Sequence, residues 1–376
     1  MTRVLHLYNV LGGNTERPWL DYPLALRGRG WDISFAYEVT AGESTPIPVE
    51  QVRIERIRVE PTHDVEAQMR RIAQADEDAQ HSELLQRDFA LVHGHLGTRV
   101  LHAAAWLKRG VPAVISLYGY DASRLLRDAT WEARYRWAAE RGATFVTLCE
   151  PMRQRILEAG VPLENTRVIP VGIDPDAWPF DPPPAPDAPR FLFVGRLTEK
   201  KAPHDLLRAL ARLRNEHAVD AALDVVGDGP LRPSLATLAA DLRIEPHVRW
   251  LGELPRSEIA DAMRRATALV LPSVVASDGD REGTPVVLME AAASGVPCVT
   301  TRHMGNPDVL PRNAQRFVVE EDDPAALAAA MAEVASLSAE DRAALQQAGR
   351  EHIEQHFNLH RVADAYDQLY RELLTA

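Results

Sequence analysis

The chain has 376 residues and a formal net charge of −12, a length that exceeds one ordinary core and predicts two domains. With 46% hydrophobic and 26% charged residues it reads as globular, and no apolar run approaches the roughly 18 residues of a membrane span. The acidic balance argues against a nucleic-acid partner, which needs a basic stripe. Cys149 and Cys298 form neither a disulfide framework nor a metal-ligand spacing, as expected in a reducing cytoplasm.

A hydrophobic run at residues 4–8, then Gly12-Gly13, then a helical pattern over 15–29 predicts strand, turn and helix. The two glycines make either a tight turn or a place where backbone approaches a ligand. Further strands are predicted at 33–37, 89–93, 113–117 and 144–148, with helix-length stretches between them. Such alternation implies a parallel sheet covered on both faces. Polar residues gather where these strands end: His93-Gly-His95, Tyr118-Gly-Tyr-Asp121 and Cys149-Glu150. Ligands of open α/β sheets bind at those ends, although a single histidine there also fits a satisfied core group. Residues 124–141 interleave arginines with Trp131, Tyr135 and Trp137, which reads either as a helix with a packed aromatic face or as a surface docking on an anionic membrane or lipid-linked acceptor.

The proline-dense residues 174–189 predict a semi-rigid linker between a first domain, 1–173, and a second, 190–358. The second carries its own strand series at 191–194, 223–226, 248–251, 268–271, 298–300 and 317–319. An amphipathic helix within 359–376 closes the chain. Of only three lysines, Lys108, Lys200 and Lys201, two stand together after the first strand of the second domain. After the strand at 268–271 comes an acidic loop, Asp278-Gly-Asp-Arg-Glu282, and then Gly283-Thr-Pro285 opens a helical pattern. Proline suits a first helical turn, and the free N–H groups of Gly283 and Thr284 make an anion-binding end. Glu290 lies two turns beyond Glu282, near the same face. By spacing alone the two acids also fit a solvated helix face.

The run Glu282-Gly-Thr-Pro-Val-Val-Leu-Met-Glu290, with Pro272-Ser273 before it and Ala293-Ser-Gly-Val-Pro297 after it, resembles the E-x7-E signature of the retaining GT-B glycosyltransferases, glycosyltransferase family 4, group 1. Its context, Asp278-Gly-Asp-Arg-Glu-Gly283, resembles the branch that makes colanic-acid-like exopolysaccharides. Gly195-Arg196-Leu197 with Lys200-Lys201 is similar to the family's G-R-L-x-x-x-K-G loop, with Ala202 where the glycine would be. Residues 301–308 are similar to its G-x-P-E loop, with Asp308 for glutamate, and residues 118–121 to its H-G-Y-D, with Tyr118 for histidine. A phenol there can hydrogen-bond a sugar hydroxyl but is no base at neutral pH.

The resemblance implies an α/β, GT-B chain of two doubly wound Rossmann-like domains facing across a cleft, with the last helix crossing back to the first domain. It implies transfer of a hexosyl unit from a nucleotide-diphosphate sugar to a saccharide or lipid-linked saccharide, in exopolysaccharide or other surface-glycan synthesis. Configuration is retained, with no metal and no cofactor beyond the donor itself. Arg196 and Lys201 would meet the diphosphate and Glu282 the transferred sugar, as the catalytic set. Glu290 would bind the ribose, with Gly283, Thr284, Pro285, Val286, Gly227 and Gly305 around the donor. Gly12, Gly13, His95, Tyr118 and Asp121 would face the acceptor. The expected place is the cytoplasm, with peripheral contact on the inner membrane face. The donor base stays open between uridine and guanosine, and a GT-B nucleotide-sugar epimerase or a non-catalytic nucleotide-sugar binder remain alternatives.

Overall fold

Both sheets are wholly parallel, which is why their strands read as continuous apolar runs. The computed structural model describes residues 1–11, 17–40, 47–78, 82–182 and 188–375, and the chain divides into two units, Met1–Gly172 with Leu359–Ala376, and Ile173–Asn358. In the first unit the strands are β1 (Thr2–Leu11), β2 (Trp31–Thr40), β3 (Glu50–Arg53), β4 (Leu91–His95), β5 (Ala113–Ser116), β6 (Ala143–Thr147) and β7 (Thr166–Val168), in the order β3-β2-β1-β4-β5-β6-β7. Five coincide with predicted strands. β3 and β7 do not, because both are short edge strands, and β3 is mostly exposed and carries no hydrophobic period.

The helix Leu359–Thr375 packs within this first unit. Val362, Ala363, Tyr366, Leu369 and Tyr370, spaced for one helix face, are buried in a cluster with Tyr8, Phe35, Leu91 and Val114. The helix Ala129–Ala139 starts at Asp128, whose carboxylate accepts the Thr130 N–H at 2.9 Å. Its Trp131, Tyr135 and Trp137 are buried, and buried Arg134 donates to Thr130 Oγ1 and Gln68 Oε1 at 2.7 Å each. These aromatic rings face inward, so of the two readings of this stretch the structure bears out the helix with a packed aromatic face. Among the described residues no helix is long and apolar enough to cross a membrane.

The second unit holds β8 (Arg190–Val194), β9 (Ala222–Val226), β10 (Val248–Gly252), β11 (Ala268–Leu271), β12 (Cys298–Thr301) and β13 (Val318–Val319), in the order β10-β9-β8-β11-β12-β13. β8 is central and pairs with β9 through Phe191↔Leu223 and with β11 through Ala268↔Phe191. The winding reverses there, between β8 and β11, and ligands of such sheets bind at the carboxyl ends of the strands at that point. Residues 174–182, read as a spacer, are instead docked on this unit. Asp174 caps a 3₁₀ turn, Pro175–Ala177, and Trp178 is 2% exposed beneath the Arg256 guanidinium, 4.4 Å from its ring centre. Arg350 donates to the carbonyls of Pro175 and Trp178 at 3.0 and 2.8 Å. Proline removes hydrogen-bond donors from this stretch but not its packing.

Candidate functional site

Four loops meet at the carboxyl ends of β8, β9, β11 and β12. The loop after β9 lies backbone to backbone on the loop after β8: Leu197 N donates to Asp228 O at 2.9 Å, and Leu231 N to Leu197 O at 3.2 Å. Gly227 is required there, since its φ is +117° and a Cβ would stand 2.2 Å from the Gly195 carbonyl oxygen. The loop after β11 is sewn to the same turn. Val274 N donates to Lys200 O at 2.9 Å, and Ser277 donates to Glu199 from its N–H at 2.8 Å and its hydroxyl at 2.7 Å. The loop after β12 joins through Gly305 N, which donates to Gly283 O at 3.1 Å.

Glu282 is the centre of the charge pattern. Its side chain is 11% exposed, with Lys201 Nζ at 2.9 Å and Lys200 Nζ at 3.6 Å, and Lys200 also reaches Asp280 at 3.0 Å. Burial by itself would push the Glu282 carboxyl up, but the Lys201 and Lys200 ammoniums outweigh it and hold the group below the usual carboxylate range. For Lys200 burial works against the charge, and Glu282 and Asp280 overcome it and raise the ammonium's pKa. Arg196 differs from its partner Lys201. It is exposed, and its guanidinium makes no hydrogen bond or ion pair among the described residues.

Glu290 sits in the helix Val286–Ala293, which starts one residue later than predicted, with Pro285 at the cap position. Burial drives its carboxyl up to about 7, opposed by the Arg256 charge. Near the helix start the buried Thr284 hydroxyl has no hydrogen-bond partner among the described residues, and neither has Ser273 Oγ, Asp280 Oδ1, Glu282 Oε1 or Asn306 Oδ1. Buried polar atoms are rarely left so, and five of them in the loops after β11 and β12 mark a place suited to a polar ligand. The structure thus brings Glu282, Gly283, Thr284, Pro285, Val286 and Gly305 together in the loops after β11 and β12, beside Lys201 and Arg196 on the loop after β8 and Gly227 on the loop after β9. Sequence reading passed over Lys200 as a partner of Glu282, although it is half of the quoted lysine pair, and gave no role to His303 or Glu321.

In the first unit Gly12 and Gly13 lie outside the described residues. His95 is buried. Its Nδ1 is 2.7 Å from the Tyr118 hydroxyl, its Nε2 is 2.9 Å from His6 Nδ1, and its ring stacks on Tyr8 at 4.1 Å. Asp121 is fully buried and accepts from Gly97 N at 2.8 Å, Tyr118 N at 2.8 Å and Gly119 N at 3.0 Å, so its carboxylate shapes the loops after β4 and β5. His93 completes the group, with Ser116 Oγ at 2.7 Å and the Tyr370 hydroxyl on its other nitrogen. Burial pushes His6 down to about 3, and burial followed by the neighbouring histidines pushes His93 and His95 well below the usual range. Burial also raises the Tyr118 phenol well above its ordinary value. His6, His93 and His95 have nitrogens within 4.8 Å of one another, a metal-compatible spacing, but both nitrogens of His93 and of His95 already face hydrogen-bonding partners.

Residues 174–352 match the family described as glycosyl transferases group 1, and residues 24–177 match Glycosyltransferase Family 4. The chain is 33% identical over 251 residues to WcaL of Escherichia coli (strain K12), named as a colanic acid biosynthesis glycosyltransferase, covering 66% of this chain and 61% of WcaL. It is 31% identical over 295 residues to the glycogen synthase of Mycobacterium tuberculosis (strain ATCC 25618 / H37Rv), covering 74% of this chain and 68% of that enzyme. Among solved structures, HepE of Anabaena in complex with UDP and glucose superposes with a TM-score of 0.73 at 18% identity, over 99% of this chain and all of HepE. With family matches running from residue 24 to residue 352 and the fold shared along the whole chain, the protein belongs to the group 1 glycosyltransferases of family 4 and has the GT-B fold.

Proposed function

We propose that this chain is a retaining, metal-independent hexosyltransferase of exopolysaccharide or other cell-surface glycan synthesis, taking its sugar from a nucleotide diphosphate and passing it to a saccharide or lipid-linked saccharide. The observation that carries the proposal is Glu282, held between Lys200 and Lys201 just before the open start of the helix Val286–Ala293. Glu282 binds hydroxyls of the transferred sugar, Glu290 the ribose, and the N–H groups of that helix start, with Arg196 and Lys201, the diphosphate. The match to WcaL supports a role in exopolysaccharide synthesis, and the UDP bound to HepE favours a uridine donor.

Breaking the bond from the anomeric carbon to the diphosphate sends its electron pair to the departing phosphate oxygen. Fixed cations and helix dipoles stabilise that charge without reorganising. At an effective dielectric of about 20, one cation about 4 Å away contributes about 4 kcal/mol before desolvation. The acceptor hydroxyl adds on the same face and its proton passes to the departing phosphate, so that no protein base is needed. Buried His95 and half-buried Tyr118, paired with each other, fit a role in shaping the acceptor side.

The test is an incubation of the protein with a panel of nucleotide sugars and saccharide acceptors, with the anomeric configuration of the product read by NMR. Retention, unchanged in the presence of a chelator, is the expected result. Inverted product, or activity lost in chelator and restored by manganese, overturns the mechanism.

A further inference from the structure

Glu282 owes its place to residues that lie far from it in the chain. The backbone N–H of Glu282 donates to His303 Nε2 at 3.1 Å, and His303 Nδ1 lies 2.7 Å from Glu321 Oε1. A backbone N–H can only donate, so Nε2 carries the lone pair and the ring hydrogen sits on Nδ1, donated to Glu321. The second oxygen of Glu321 accepts the N–H of Val275 at 3.0 Å. One carboxylate therefore holds both ends of the acidic loop, Val275 directly and Glu282 through the imidazole.

The sheet dictates this meeting. β12 and β13 run parallel with Thr301 opposite Val319, and Arg302 N donates to Val319 O at 2.7 Å, so His303 and Glu321 leave neighbouring strand ends side by side. His303 is fully buried. From the opposite side Lys200 and Lys201 reach the Glu282 carboxylate, so its backbone is fixed by His303 and its side chain by the lysines.

We propose that His303 and Glu321 are positioning residues that set Glu282 against the sugar of the donor, and so control how strongly the site prefers a nucleotide sugar over the bare nucleotide diphosphate. This rests on the donor-site reading above. Neither residue touches the donor; both act through the loop of residues 275–282.

The test is calorimetric titration of UDP against UDP-glucose, and of GDP against GDP-mannose, with the ratio of dissociation constants as readout. Four variants are compared with wild type: Glu282→Gln, His303→Asn, His303→Gln and Glu321→Gln. Asparagine places its amide near the ring's Nδ1 and loses the bond to Glu282, whereas glutamine places an oxygen near Nε2 and keeps it. In the pair that binds wild type, Glu282→Gln and His303→Asn each weaken nucleotide-sugar binding relative to the diphosphate by about tenfold, the effect of one lost charge-linked hydrogen bond, and His303→Gln stays within about threefold of wild type. Should His303→Asn fail to fold, Glu321→Gln carries the same comparison, with a change of about threefold. A wild-type ratio in His303→Asn and Glu321→Gln while Glu282→Gln shifts it overturns the positioning role, as does equal weakening of both ligands. An unchanged ratio in Glu282→Gln, or no binding of either pair to wild type, overturns the donor-site reading and this inference with it.

Discussion

The strand ends of the two units do opposite things with their polar residues. In the second unit, Glu282, Asp280, Lys200 and Lys201 keep charges close together under partial burial, and Arg196 is exposed, with no ion pair among the described residues. In the first, buried His6, His93, His95, Ser116, Tyr366 and Tyr370 with half-buried Tyr118 form a network without a formal charge, and burial keeps the histidines neutral. Charges suit a ligand that arrives with a diphosphate and leaves with more negative charge than it brought. Neutral donors and acceptors suit shape and hydroxyl recognition, where a buried charge would be costly. The contrast teaches that sheets of similar topology can hold a charged and a neutral polar cluster at their strand ends, which under the proposed function would serve donor and acceptor.

The largest expected effects break the charged side. Arg196→Ala and Lys201→Ala each lower kcat by about 10²–10³ in a steady-state transfer assay, as loss of one anion-stabilising group does. The two separate on stability. Lys201→Ala lowers the melting midpoint by several degrees because it strips a partner from largely buried Glu282, whereas Arg196→Ala leaves it unchanged, since that exposed guanidinium makes no hydrogen bond or ion pair among the described residues. Equal melting points for the two variants would remove the distinction drawn between shared and free cation.

On the neutral side, Tyr370→Phe leaves a buried His93 nitrogen without its hydroxyl partner and costs about 1–3 kcal/mol in denaturant unfolding, with nucleotide affinity untouched. A parallel loss of nucleotide affinity would show that the two regions are not independent.

Glu290 sharpens the comparison through pH. Its folded pKa, about 7, is raised from 4.5, so the native state binds the proton more tightly than the unfolded chain. Stability is therefore lost as pH rises from about 4.5 through about 7, and the cost persists above that. Glu290→Gln, which does not titrate, should gain melting temperature over wild type at pH 8 and little at pH 4.5; a gain that is constant with pH would refute the assignment.

The smallest effect concerns Ala202, where the family carries glycine. It sits in the left-handed region at φ +44°, ψ +47°. Ala202→Gly relieves that strain and should stabilise the protein by about 0.5–1 kcal/mol in urea unfolding, with kcat unchanged.

These regions also differ in how far the sequence disclosed them. The charged loops were legible because their residues are contiguous: one strand, loop and helix carry Asp280, Glu282, Gly283, Thr284 and Glu290, and one turn carries Arg196, Lys200 and Lys201. The two sheets were legible from their apolar runs, except for β3 and β7 at exposed edges. What could not be read is what the sheets bring together. His303 and Glu321 are 18 residues apart and meet only because β12 and β13 are neighbours. The histidine network draws one or two residues each from β1, β4, β5 and the last helix, and a histidine or tyrosine in isolation has no signal of its own. The proline-dense stretch misled because composition reports on hydrogen bonds forgone and not on Trp178, which packs.

The central claim is that the second unit holds a nucleotide sugar through Glu290 and its neighbouring loops. The most direct measurement is thermal unfolding of wild type and Glu290→Ala against nucleotide diphosphates and nucleotide sugars at millimolar concentration, since a ligand at about 100 times its Kd stabilises by about 2.7 kcal/mol. The account predicts that the series of one base raises the wild-type midpoint and that Glu290→Ala loses the rise. No shift with any nucleotide, or a shift that Glu290→Ala leaves intact, would contradict it.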